Sequence, residues 1–376
     1  MTPKIERFLA EENPPTPCLV LDLDVVRANY ERLSKALPLA DIYYAVKANP
    51  APEILETLVG IGSFFDAAST YEIDTCLDVG AEPKNISYGS TIKKMSEIKH
   101  AYARGVRLFA FDSLEELQKL ADGAPGSNVY CRLQTSDEGS DWPLSKKFGC
   151  ELDMARDLLI KSRGMNLVPY GVSFHVGSQQ RDVKQWEVAI ARAAMVFTGL
   201  RDAGIELKMI NLGGGFPAQY RDEIPEMGEY ANSITKALTD AFANNIPHII
   251  VEPGRMIAAE AGMVQSEVVL VSKKSYDDPT RWVYLDIGMF SGLTETLDEA
   301  IKYPIRTEHD GTEEGPVIIA GPTCDGVDVL YKNAGFTLPL SLISGDKIQI
   351  LSTGAYTVSY SSVGFNGFPP LKAYYI

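Results

Sequence analysis

Residues 43–68 read YYAVKANPAPEILETLVGIGSFFDAA. An apolar run stops at Lys47, the chain turns at Asn49-Pro50, and a second apolar run begins at Ser63. The same rhythm, a short apolar strand, a turn and an amphipathic helix, continues from about residue 24 to 260. Its strands are predicted at YYAVK (43–47), SFFDAA (63–68), NISYG (85–89), RLFAFD (107–112), NVYCRL (128–133), YGVSFHV (170–176), KMINL (208–212) and HIIVEP (248–253). Helical patterns such as DVVRANYERLSKAL (24–37) and SLEELQKLA (113–121) separate them, the latter opening on the capping box Ser113-x-x-Glu116. Alternation of this kind implies parallel strands, and eight of them predict an α/β fold closed as a (β/α)8 TIM-like barrel over 24–260.

After residue 260 the pattern changes. GMVQSEVVLVSKK (262–274), RWVYLDIG (281–288), GPVIIAGPT (315–323) and DKIQILST (346–353) are β-branched runs separated by turns. They predict a C-terminal antiparallel β domain, a sandwich or barrel, over 261–376. The strand-like TPCLVLDLD (16–24) is expected to join that sheet, so residues 1–23 are assigned to the same domain.

Composition narrows the function classes. The 376 residues carry a formal charge of −15, which argues against nucleic acid as a partner; it would draw in cationic small molecules weakly and over long range, and it equally suits plain solubility. No stretch approaches the roughly 18 apolar residues of a membrane span. Five cysteines without CxxC or CxC spacing are expected to be reduced thiols of a cytoplasmic protein. None of the four histidines has metal-ligand spacing with another, so no metal is expected.

In a barrel of this kind the chemistry sits at the C-terminal ends of the strands. Lys47, Asp66 and His175 fall at the ends of strands one, two and six, GGGF (213–216) follows strand seven, and EPGR (252–255) ends strand eight. Alone, GGG is a flexible turn, Arg255 a surface ion pair and His175 a core histidine. Glu72 is explained by the capping box Ser69-Thr70-Tyr71-Glu72. Together, peptide N–H groups of Gly213, Gly214 and Gly215 with the fork of Arg255 suit a phosphate. A phosphate site, a strand-end lysine and an acid point to pyridoxal 5'-phosphate, which needs the Lys47 amine for covalent attachment. Glu252 suits the carboxylate beside the pyridine nitrogen, where it favours the protonated ring. His175 suits a flat group stacked on the ring.

YYAVKAN, FFDAAS, SFHVGSQ, NLGGGFP, VEPGR, GPTCDGVD and STGAYTV occur in this order across residues 43–358. With them the chain resembles the fold-type III pyridoxal-phosphate decarboxylases of basic amino acids, in particular the ornithine/lysine branch and most of all ornithine decarboxylase. That family shares its barrel-plus-β-domain plan with alanine racemases. The resemblance implies a homodimer with shared active sites. Lys47 would carry the cofactor, Asp66 and His175 support the ring, and Glu252 pair with its nitrogen. Ser178, Gly213 to Gly215, Arg255 and Tyr356 would hold the phosphate. Cys324 and Asp325 would come from the partner chain, the thiol returning a proton to Cα and the carboxylate binding the distal ammonium. An acid among Glu295, Asp298 and Glu299 would read the same amine. Phe290 stands where many relatives carry tyrosine. The implied reaction is decarboxylation of L-ornithine to putrescine in polyamine synthesis, with lysine as rival or second substrate. An amino-acid racemase and a non-catalytic regulatory binder are the remoter readings.

Overall fold

Eight short parallel strands close on themselves. Ala40–Ala45, Phe64–Ala67, Ile86–Tyr88, Leu108–Phe111, Asn128–Arg132, Val168–Ser173, Met209–Asn211 and His248–Val251 pair in that circular order, the last returning to the first. They are called barrel strands one to eight below. A computed structural model of the chain describes residues 1–136, 138–142, 147–363, 366 and 369–376.

Side chains at alternate positions of a strand share one face. Leu108 and Ala110 of strand four therefore meet Tyr43, Tyr130, Met209 and Ile250 in one buried cluster, with Phe64 and Tyr170 packed against it. Tyr43 and Phe64 are register partners, and their rings stack at 4.9 Å. The intervening helices bury one stripe each. Lys184–Asp202 buries Trp186, Ala189, Ile190, Ala193, Val196, Phe197 and Leu200, a spacing of three and four. Each such leucine or isoleucine contributes about 1.5–3 kcal/mol by leaving water.

The chain divides into two compact units. One comprises Arg27–Pro217 and Ile224–Gly254 and contains the barrel strands. The other gathers Met1–Val26, Ala218–Glu223 and Arg255–Ile376. Its sheet runs in the order Ile305–Thr307, Lys347–Leu351, Gly262–Ser272, Arg281–Leu285, Glu314–Ala320, Val329–Tyr331. Cys18–Leu21 joins it antiparallel to Gly262–Ser272. The sheet is mixed, however, and not purely antiparallel. Arg281–Leu285 runs parallel to Glu314–Ala320, and Cys18–Leu21 runs parallel to Lys372–Tyr375. Residues 286–313 join the first of these pairs, long enough for the crossover that parallel neighbours require. Among the described residues no helix is long and apolar enough to cross a membrane.

Candidate active site

The barrel unit places four of the expected residues at the same ends of its strands. Lys47 lies in the one-turn helix Val46–Ala48 that follows strand one; Val46 and Ala48 are buried while the lysine is exposed. The amide of Ala45 donates to the carbonyl of Pro253 at 3.0 Å, tying this turn to the segment after strand eight. Gly254 makes that approach feasible, since a Cβ there would lie 2.8 Å from the Ala48 methyl.

Glu252 is the first residue after strand eight. Its N–H donates to the Gly213 carbonyl at 2.8 Å, and its Oε1 accepts from the side-chain amide of Asn211. The other end of that amide, Oδ1, accepts from the Gly213 N–H at 2.9 Å. Asn211 thus fixes both the carboxylate and the start of the glycine loop. The sequence reading gave Asn211 no role; the signal was there in a bifunctional amide at the end of strand seven, two residues before Gly213.

Asp66, buried in strand two, has an Oδ1 that meets no hydrogen-bond donor. Its carboxyl is held well above the usual carboxylate range, first by burial and then by the charge of Glu252, with Lys47 and Arg132 acting against them. A buried carboxyl with one oxygen that meets no donor, raised in part by the charge of Glu252, makes a site that favours a bound cation. Gly89 leaves room for this arrangement, because a Cβ there would overlap the Asp66 carboxylate at 2.0 Å.

His175 lies two residues beyond the end of strand six. Burial, then the charges of Arg132 and Lys47, push its pKa well below the usual histidine value, so the ring is neutral. Its Nδ1 accepts from the Gly177 N–H at 3.0 Å, which leaves the ring proton on Nε2. Its carbonyl accepts from the Thr135 hydroxyl at 2.6 Å. Arg132, at the end of strand five, acts on both Asp66 and His175 and was not singled out from sequence.

The glycine loop threads between backbones. A Cβ on Gly213 would lie 2.1 Å from the Phe174 carbonyl, one on Gly214 2.6 Å from that of Glu252, and one on Gly215 2.6 Å from that of Gly177. The N–H of Gly213, expected to hold phosphate, is already taken by Asn211. Among the described residues the N–H groups of Gly214 and Gly215 meet no acceptor, so these two remain suited to an anion. Ser178 opens the short strand Ser178–Gln180, which pairs with Ser140–Trp142.

The β unit holds the remaining candidates. The Arg255 guanidinium is buried and forks onto Glu295, with both N···O distances at 2.6 Å. It also donates to the Tyr220 hydroxyl at 2.9 Å, and the Tyr356 ring lies 4.8 Å away. Burial opposes its charge, but Glu295 and Tyr220 outweigh burial and keep it protonated. The fork expected on a phosphate is thus occupied by a carboxylate. Glu295, expected among the acids that read an amine, is neutralised by the same contact. Glu299 accepts from the backbone N–H groups of Lys332 and Asn333, both at 2.6 Å. Asp298, exposed at φ 53°, has no partner among the described residues. Cys324 is an exposed thiol that accepts from the Asn366 amide at 3.4 Å. The Oδ1 of Asp325 accepts from the Val327 N–H at 3.0 Å, a turn contact that leaves its other oxygen without a partner among the described residues. The carbonyl of Phe290 accepts from the Ser362 N–H at 2.9 Å.

An unpartnered buried carboxylate oxygen beside a second acid, a lysine at the barrel mouth, a neutral histidine and two unpaired glycine N–H groups together fit pyridoxal phosphate; the fold and site define a barrel enzyme of that cofactor. Residues 23–259 match the family model described as pyridoxal-dependent decarboxylase, pyridoxal binding domain, and the chain belongs to that family, in its ornithine/lysine branch, with pyridoxal phosphate as cofactor. It is 34% identical to the lysine/ornithine decarboxylase of Selenomonas ruminantium, over 94% of this chain and 88% of that one. It is 33% identical to antizyme inhibitor 2 of Xenopus laevis, over 95% and 80%, a relative whose name is not that of an enzyme. The solved structure of SrLDC in complex with PLP and cadaverine superposes with a TM-score of 0.89 at 32% identity, covering 100% of this chain and 94% of that chain.

Proposed function

We propose that the protein decarboxylates L-ornithine to putrescine and CO2 as a cytoplasmic step of polyamine synthesis, with L-lysine as its rival or second substrate. The observation that carries the reading is the Asp66 oxygen left without a donor beside Glu252, an arrangement that calls for a cationic ring nitrogen. Lys47 would anchor the cofactor. Glu252, oriented by Asn211, would hold the protonated ring nitrogen, and neutral His175 would offer an uncharged face to the ring. Gly214 and Gly215 would take the phosphate, joined by Ser178 and Tyr356 on the strength of their motifs, while the fork of Arg255 stays on Glu295. When bound, the cofactor supplies the electron sink that makes loss of a carboxyl group from Cα feasible.

The remaining steps belong to side chains. Cys324 would return a proton to Cα, and a thiol with an ordinary pKa of about 8.5 is a workable acid near neutrality. Asp325 would bind the distal ammonium. Asp298 is the acid of the 295–299 segment whose carboxylate is not already engaged among the described residues, and it is assigned the same amine. Cys324 and Asp325 would act in the partner's site of a homodimer. One methylene separates ornithine from lysine, worth about 1–3 kcal/mol in a fitted pocket.

Purified protein assayed on ornithine, lysine, arginine and diaminopimelate is expected to release CO2 fastest from ornithine. Lys47→Ala is expected to lose both the visible absorbance of the bound cofactor and all turnover. Cofactor binding without turnover on any of the four would favour a regulatory binder, and turnover by Lys47→Ala would overturn the site.

A further inference from the structure

Asp328 closes the segment GPTCDGVD (321–328) and is 2% exposed. Its Oδ1 accepts from the N–H of Met289 at 2.8 Å. Its Oδ2 accepts from both the N–H and the hydroxyl of Thr323, at 3.1 and 2.7 Å. Thr323 immediately precedes Cys324, and Met289 begins the turn Met289–Ser291 that follows strand Arg281–Leu285. One buried carboxylate therefore fastens the thiol-bearing loop to a second strand end.

The backbone is shaped to admit that carboxylate. A Cβ on Gly288 would come within 2.3 Å of Oδ1, and one on Gly321 within 2.4 Å of both oxygens. The loop is closed by two further bonds, Gly321 N–H to the Asp328 carbonyl at 2.9 Å and Asp328 N–H to the Asp325 carbonyl at 3.1 Å. Cys324 and Asp325 project from this frame and are exposed, whereas Asp328 is not. A carboxylate that accepts three bonds while buried is costly to replace, because its donors are stranded when it goes.

We propose that Asp328 is a positioning residue: its carboxylate holds Thr323 and so sets where the Cys324 thiol and the Asp325 carboxylate are presented to the reacting substrate. This rests on Cys324 being the group that protonates Cα. After CO2 leaves, a proton placed on Cα yields the diamine. A proton delivered away from Cα would instead give, with one water, an aminoaldehyde, the amino group staying with the cofactor. The ratio of diamine to aldehyde therefore reports where the thiol points, which a residue serving stability alone would not move.

The test measures that ratio in holoenzyme given ornithine, with the rate of Cys324 alkylation by iodoacetamide as a readout free of turnover. The other four cysteines are buried, so the reagent reads Cys324. Asp328→Asn keeps the shape but turns a donor toward donors; it is expected to retain bound cofactor, lose about tenfold in kcat and raise the aldehyde share at least about fivefold. Thr323→Val removes one of the three bonds and is expected to shift both readouts the same way by less, which keeps the test open if Asp328→Asn does not fold. Wild-type product ratio and alkylation rate in a folded variant would overturn the proposal. Normal diamine from Cys324→Ala would overturn the reading of the thiol itself, and the proposal with it.

Discussion

The guanidinium of Arg255 and the carboxylate of Glu295 are both almost fully buried, and each neutralises the other. Removing one partner of such a pair strands a charge in a medium that solvates it poorly. Glu295→Gln is expected to cost about 3–5 kcal/mol, read as a shift in the denaturant midpoint, while Arg255→Met with Glu295→Leu should recover most of it. A midpoint unchanged in Glu295→Gln would mean that Tyr220 and Tyr356 suffice to hold the cation. At this scale the sequence showed residue types and their strand-end positions, because Lys47, Asp66, His175 and Glu252 interrupt or follow apolar runs. It did not show partners. Nothing in the spacing of Arg255 and Glu295 announces a contact 40 residues apart, and Asn211, Arg132 and Asp328 look like ordinary polar residues until the fold supplies what they touch.

Among elements, the caps show the same limit. At the start of helix Thr70–Asp78 the box is nearly as read: Ser69 Oγ accepts from the Glu72 N–H at 3.2 Å, though the Glu72 carboxylate reaches the Ala68 N–H at 2.6 Å. At Leu114–Gly123 only half the box forms. Ser113 Oγ accepts from the Glu116 N–H at 3.3 Å, but the Glu116 carboxylate turns to the buried ammonium of Lys93 at 2.9 Å and to Lys119 at 2.5 Å. Lys93 also donates to the carbonyls of Ser90 and Ala110 at 2.6 and 2.7 Å. Burial still draws its pKa down to about 8, against the pull of Glu116. From about pH 8 to 10.5 the unfolded chain keeps this proton and the folded chain releases it, so the site's contribution to stability rises with pH and its penalty is full below pH 8. Against Lys93→Met, the unfolding free energy of the wild type is expected to gain up to roughly 3 kcal/mol across that window. A difference that stays flat with pH would place the charge elsewhere. The alternation of strands and helices was legible because each barrel strand is a compact apolar run. The mixed sheet was not, since a parallel ladder depends on a long connection and leaves no mark in the strands themselves.

For the whole molecule, the proposed homodimer makes a prediction that no single chain can satisfy. Lys47→Ala and Cys324→Ala are each expected to be nearly inactive alone. Mixed under conditions of subunit exchange, half the dimers carry one intact site, so about a quarter of wild-type activity should return. No recovery in demonstrated heterodimers would count against a shared site. A last consequence follows from strand Cys18–Leu21, which lies between Gly262–Ser272 and Lys372–Tyr375. During synthesis this strand leaves the ribosome early and waits for both neighbours, while every barrel strand has emerged by Val251. The nascent barrel is therefore free to form first, and its companion sheet is finished only when Tyr375 is released.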